Sequence, residues 1–183
     1  DAMHRELALR RIDAQLAGAS LERRSSDLAD AFAQAEAQFH ANVHAHENAL
    51  AQERAVLDRA RHDLDVAREN RAKLEQVLPH YREQERAYDK LSRDGFAGRL
   101  MFTDKQRERI EKEQDLRAQE FAIRSAQATI AHSEQKIVQI GADYRRQLRL
   151  ERSEMAPQLE KLRQELVKGC LLYTSDAADE GLG

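Results

Sequence analysis

The sequence predicts an all-α fold, a long antiparallel coiled-coil helical hairpin with a short additional N-terminal helix. Three observations predict it. Of the 183 residues, 34% are charged and 5% aromatic, with no Trp and a mean hydropathy of -0.79; this is the composition of long helices rather than of a compact core. Two long segments carry apolar residues at heptad spacing. Between them lies Leu91-Ser-Arg-Asp-Gly-Phe-Ala-Gly98, where Gly95 and Gly98 stand close together in an otherwise glycine-poor region. Disorder is disfavoured because the charges are mixed, the net charge is only -3 and the apolar period is regular.

The first element, residues 1–18, is a short helix with Leu7, Leu9, Ile12 and Leu16 as a loose apolar stripe and charges over the rest. Gly18 and Ser20 interrupt it, and Ser25-Ser26-Asp27 offers N-cap oxygens to the next helix. The first hairpin arm spans 25–92. From Ala29 one seam position is Ala29, Glu36, Val43, Leu50, Leu57, Leu64, Arg71, Leu78 and Glu85. The other is Phe32, Phe39, His46, Glu53, Ala60, Ala67, Leu74, Tyr81 and Tyr88. The polar members suit a slender, partly wet pair of helices. An arm of this length runs roughly 90 Å and needs a partner for its stripe. Pro79 removes the hydrogen bond to Glu75, so a kink is expected there, with a break as the alternative; the seam continues through Tyr81 and Tyr88.

Residues 93–98 form the tip. Gly95 suits the residue after a helix end, Gly98 suits the start of the next helix, and Phe96 either closes the turn or makes an outside contact. The second arm spans 99–168. Thr103-Asp-Lys-Gln106 fits a capping box, which allows a later helix start. Its stripe is Phe102, Leu116, Ile123, Ile130, Ile137 and Tyr144, with Ala126 and Ile140 beside it. It then shifts to Leu148, Met155 and Leu162 with Leu159 and Leu166. The shift, with Gly141 and Pro157, predicts a less regular base. A short connection between arms of similar length makes them antiparallel neighbours. Folding at the tip brings Tyr88 near Phe102, and Leu57 into the region of Ile130 and Ile137. If the first short helix stacks collinearly below the second, its partner lies beyond Lys168.

Residues 169–183 break with the rest. Cys170-Leu-Leu-Tyr-Thr-Ser-Asp-Ala-Ala-Asp-Glu180 is similar to the translation of a transposon-end sequencing adapter, so the tail is read as non-native. Without Asp176, Asp179 and Glu180 the acidic residues fall from 33 to 30, equal to the 30 basic ones, and the single cysteine is also removed. A cysteine-free body suits an extracytoplasmic compartment. No run approaches a membrane span, no signal peptide is visible, and a chain opening at Asp1 reads as part of a longer protein.

No chemistry-bearing constellation emerges. His40 and His44 share a helix face at metal-binding spacing, but His46 points elsewhere and no third ligand is evident. They read as solvated or seam histidines, and no metal or other cofactor is expected. Ser25, Ser26 and Thr103 read as caps, and Glu111-Lys-Glu113 as a solvated face. A neutral body with interleaved Arg, Glu and Asp argues against nucleic acid as a partner. The expected protein is not an enzyme.

Leu78-Pro79, Leu91 and Gly95-Phe96-Ala97-Gly98, followed by a long charged helix, resemble the hairpin of haemolysin-D-type (HlyD) periplasmic adaptors, or membrane fusion proteins. The segment from Asp1 to Leu16 is similar to the helix that leaves the lipoyl half-motif of that family. The resemblance implies an adaptor in the periplasm, anchored to the inner membrane in the full-length protein. Its partners would be an inner-membrane ABC transporter and a TolC-like outer-membrane channel, and its copies would form a homo-oligomeric ring for type I protein secretion or efflux. The implied docking residues are Arg86, Leu91, Gly95, Phe96, Ala97 and Gly98. Leu91 fits the leucine of the family's tip motif. Gly98 stands where its serine is expected, and its arginine falls at or next to Ala87, beside Arg86. The rival reading is a structural coiled-coil scaffold or spacer, which heptads or an ATPase head flanking the chain would favour over lipoyl segments.

Overall fold

The computed structural model describes the backbone of residues 2–179 and the side chains of residues 2–168. Three helices follow in order: α1, Ala2–Ala17; α2, Ala29–Arg93; and α3, Arg99–Asp179. The fold is all-α, a helical hairpin of α2 and α3 with the short α1 before it. The tail of residues 169–183, read from the sequence as non-native, lies outside the residues whose side chains are described. Among the described residues no helix is long and apolar enough to cross a membrane.

The chain divides into two compact units, Asp1–Ala51 with Val138–Gly183, and Gln52–Ile137. In the second unit α2 and α3 run antiparallel. Arg82 pairs with Glu113 at 3.1 Å, Arg61 with Glu134 at 3.3 Å and Lys136 with Glu53 at 2.9 Å, so positions rise on one helix as they fall on the other. Leu64, Ala67, Ile123 and Ala126 form the core of this unit, with Ile130 packed against it. The predicted seam is the buried one over most of its course: Leu57, Ala60, Leu64, Ala67 and Leu78 are buried. Arg71 is exposed despite its seam position, since a guanidinium gains more from water than from an apolar neighbour. At the Tyr88 end of the pair the Lys105 ammonium lies 5.8 Å from the ring centre. Helix α2 passes through Pro79 without a break.

The first unit is built from three helical segments, because α1 joins the pair. Leu7 packs with Ala31 and Phe32, flanked by Met3, Leu21 and Ala35. Toward α3, Gln15 donates to the Tyr144 hydroxyl at 3.1 Å, Arg152 reaches Asp13 at 2.7 Å and Arg163 reaches Glu6 at 3.3 Å. Arg11 pairs with Glu151. The partner of α1 is therefore the stretch of α3 from Tyr144 to Arg163, and α1 lies beside the start of α2. This corrects the collinear arrangement, whose partner lay beyond Lys168. It also gives a reason for the shifted stripe. Buried Leu148 and Leu159 lie on a part of α3 that serves two neighbours instead of one. The helix continues through Gly141 and Pro157 without a break. Leu166, assigned to the stripe, is 60% exposed, and seam positions Ala29 and Glu36 are also exposed.

Two local expectations change. Asp27 does not cap α2 with its carboxylate. Its side chain accepts the Arg24 backbone N–H at 2.7 Å and two bonds from Arg10 at 2.8 and 3.0 Å, pinning the α1–α2 connection. The Arg10 hydrogen bond and the Arg24 amide hold this carboxyl below its usual range. Thr103 lies inside α3, where its hydroxyl donates to the Arg99 carbonyl at 3.0 Å, so the helix starts at Arg99 and not later.

Candidate functional site

The turn between α2 and α3 is closed by backbone bonds alone. Phe96 N–H donates to the Leu91 carbonyl at 2.9 Å and Gly95 N–H to the Ser92 carbonyl at 3.3 Å. This pair of bonds is the Schellman pattern, which requires a left-handed residue just past the helix end. Gly95 supplies it at φ +82°. Gly18 at φ +65° closes α1 in the same way, with Ala19 N–H on the Ala14 carbonyl at 2.9 Å. Gly98 then accepts the Met101 N–H at 3.0 Å and starts α3.

Around this turn the implied docking residues fall as follows. Leu91 is in the last turn of α2 and 41% exposed, and Phe96 is 83% exposed. Phe96 does not close the turn by burying itself, because its ring stands in solvent. Ala97 is half-buried and Gly98 exposed. Arg86 is exposed but lies about two turns before the end of α2. The turn brings Leu91, Gly95, Phe96, Ala97 and Gly98 together; Arg86 stands back from them.

Two residues at the same end were missed by the sequence reading. Leu100 and Met101, in the first turn of α3, are 76% and 50% exposed. A signal was present, because both lie off the seam that begins at Phe102, and two large apolar residues off a seam have no intramolecular partner assigned.

Ion pairs just behind the turn hold the two helices together. Arg109 bridges Glu85 of α2 and Glu113 of its own helix, and Arg82 reaches the same Glu113. The hydrogen bond that Arg109 donates to the Glu85 carboxylate leads in raising its guanidinium above its already high value. Burial pushes Glu113 up, but Arg82 and Arg109 outweigh it and its carboxyl ends below the usual range. Nearer the end, Arg93 pairs with Asp89 at 2.7 Å.

The histidines separate by environment. His46 stacks on Tyr144 with ring centroids 4.1 Å apart, while His40 and His44 lie exposed, their rings 6.2 Å apart. Among the described residues no group of three or more His, Cys, Asp or Glu is placed to hold a metal ion.

No family model matches the chain, and no curated protein matches it. Its structure is similar to the solved soluble domain of LipC, a membrane fusion protein of a type I secretion system, with a TM-score of 0.78 and 21% sequence identity over 92% of this chain and 84% of that one. The likeness is one of fold: this chain is built like the soluble domain of a type I secretion membrane fusion protein.

Proposed function

We propose that the chain is the helical part of a non-enzymatic periplasmic adaptor, anchored to the inner membrane in the full-length protein. It bridges an inner-membrane ABC transporter and a TolC-like outer-membrane channel in type I protein secretion or efflux. Copies of it form a homo-oligomeric ring, and the transporter supplies the energy. The observation that carries this reading is the turn itself, in which a backbone-closed cap leaves Phe96 and Leu91 open to solvent. A helical turn needs neither side chain for its closure, and exposed large apolar groups at one place mark an interaction surface. The LipC-like fold supports the same reading. Docking then uses Leu91 and Phe96 as anchors, with Gly95, Ala97 and Gly98 shaping the contact and Arg86 about two turns behind it.

The test is a pull-down of the outer-membrane channel by the full-length protein carrying Leu91→Asp or Phe96→Asp. Both side chains are exposed, so helicity is expected to remain while channel capture is lost. Capture equal to that of the unmodified protein overturns tip docking. Sequencing the uninterrupted gene is a second check: lipoyl segments flanking this chain support the adaptor, and uninterrupted heptads or an ATPase head support a scaffold instead.

A further inference from the structure

We infer that the tip engages its partner through an apolar patch that includes Leu100 and Met101, and that this patch seats in an apolar protein cleft with an acidic rim. The inference rests on the adaptor reading of the same site and adds to it the residues that carry affinity and the chemistry they meet.

Leu91, Phe96, Leu100 and Met101 are 41%, 83%, 76% and 50% exposed, and all fall between Leu91 and Met101 at one turn. Elsewhere in the same unit Val56, Val66, Ile110 and Phe121 are exposed singly, and Phe121 lies under the Arg124 guanidinium at 4.6 Å. Scattered exposed apolar residues are ordinary, but four at one end of a hairpin are not. The α2–α3 pairing does not use them, since the seam on α3 begins with half-buried Phe102. The polar positions of the implied docking motif contribute little here, because Gly98 has no side chain and Arg86 stands back from the turn. Affinity must then come from buried apolar anchors.

The charges around the patch say what surrounds the cleft. Three cations, Lys90, Arg93 and Arg99, and two carboxylates, Asp89 and Asp94, flank the turn, and Arg93 is already matched by Asp89 at 2.7 Å. Lys90 and Arg99 remain, one on each helix, against Asp94. A carboxylate rim on the partner complements that excess. A lipid surface fits less well, because Asp89 and Asp94 would be pressed against anionic headgroups, whereas a protein rim can offer groups of both signs.

The experiment measures binding of the full-length protein to the purified TolC-like channel of its source organism, with Leu100→Ser, Met101→Gln and Arg99→Glu compared with the unmodified protein. Leu100→Ser and Met101→Gln are expected to weaken binding by about tenfold or more each, mainly through faster dissociation. Arg99→Glu is expected to slow association and flatten its salt dependence. If Leu100→Ser and Met101→Gln bind like the unmodified protein while Leu91→Asp does not bind, docking at the tip stands and this inference falls. If the unmodified protein does not bind the channel, the adaptor reading fails, and the inference with it. Flotation with phosphatidylethanolamine–phosphatidylglycerol vesicles, lost in the Leu100 and Met101 variants, would make the patch a lipid contact and overturn the protein cleft.

Discussion

Lys136 Nζ lies 2.9 Å from a carboxylate oxygen of Glu53, across the helix pair. Glu53 is at a seam position and 6% exposed, and Ser133 beside it is fully buried. The Ser133 hydroxyl and then the Lys136 ammonium hold the Glu53 carboxyl below its ordinary value of 4.5. The Ser133 hydroxyl makes no hydrogen bond of good geometry, so the Lys136 contact is the firmer of the two. Because the folded value is depressed, the stabilisation is complete above pH 4.5 and is lost as pH falls through the lower, folded value. Glu53→Gln should therefore narrow the difference between melts followed by circular dichroism at about pH 7 and about pH 3.5. Asp27 and Glu113 are also depressed, so part of the acid sensitivity will persist in that variant. Lys136→Met should lower stability at neutral pH, since it leaves a buried carboxylate without its cation, and should gain relative to the unmodified chain on acidification. A Lys136→Met variant as stable as the unmodified chain at neutral pH would show that the pair contributes nothing.

Tyr144 joins all three helical segments of its unit. Its ring lies flat on His46, with planes 6° apart, and its hydroxyl accepts from Gln15, which is 7% exposed. Burial pushes the phenol above its ordinary value of 10.0. Tyr144→Phe keeps the ring stack and removes the acceptor, leaving the buried Gln15 amide short of a partner. The expected cost is about 0.5–1.5 kcal/mol in urea denaturation. Tyr144→Leu should cost more, because the stack goes as well, and equal effects from the two variants would assign no role to the ring.

Gly95 and Gly98 should respond differently to the same substitution. Neither has an atom within 4 Å of an added Cβ, but only Gly95 has a positive φ, at +82°. Gly95→Ala is expected to destabilise the hairpin by about 1 kcal/mol through backbone strain alone. Gly98→Ala should change stability little. Thermal melts of both variants make the comparison, and a Gly98→Ala cost as large as that of Gly95→Ala would contradict it.

Much of the hairpin was legible because a helix pair buries what its seam presents. The Leu57–Leu64–Leu78 row and the Ile123–Ala126 row both end up buried where heptad spacing put them. Polar seam residues were less legible. Spacing placed Glu53 and Arg71 alike, yet Glu53 is buried against Lys136 while Arg71 is exposed and pairs with Glu75 of its own helix at 3.2 Å. Their fates depended on which side chains the facing helix supplied. Asp27 was one of three N-cap candidates with Ser25 and Ser26, and the side chain of Arg10 redirected it. Leu100 and Met101 were not legible because heptad spacing assigns a partner only to residues on the seam, which on α3 begins at Phe102.

The sequence by itself determined three helices, the place where the chain reverses and the face along which the arms meet. These follow from local rules: residue spacing along a helix, and the tolerance of Gly95 for a left-handed backbone. Only the tertiary structure decided where α1 docks and which apolar side chains remain open at the turn. A single short stripe such as Leu7–Ile12 says that a partner is needed without saying which. Exposure at the tip is likewise a property of how both helix ends come together, so it appears only once the turn and both arms are in place.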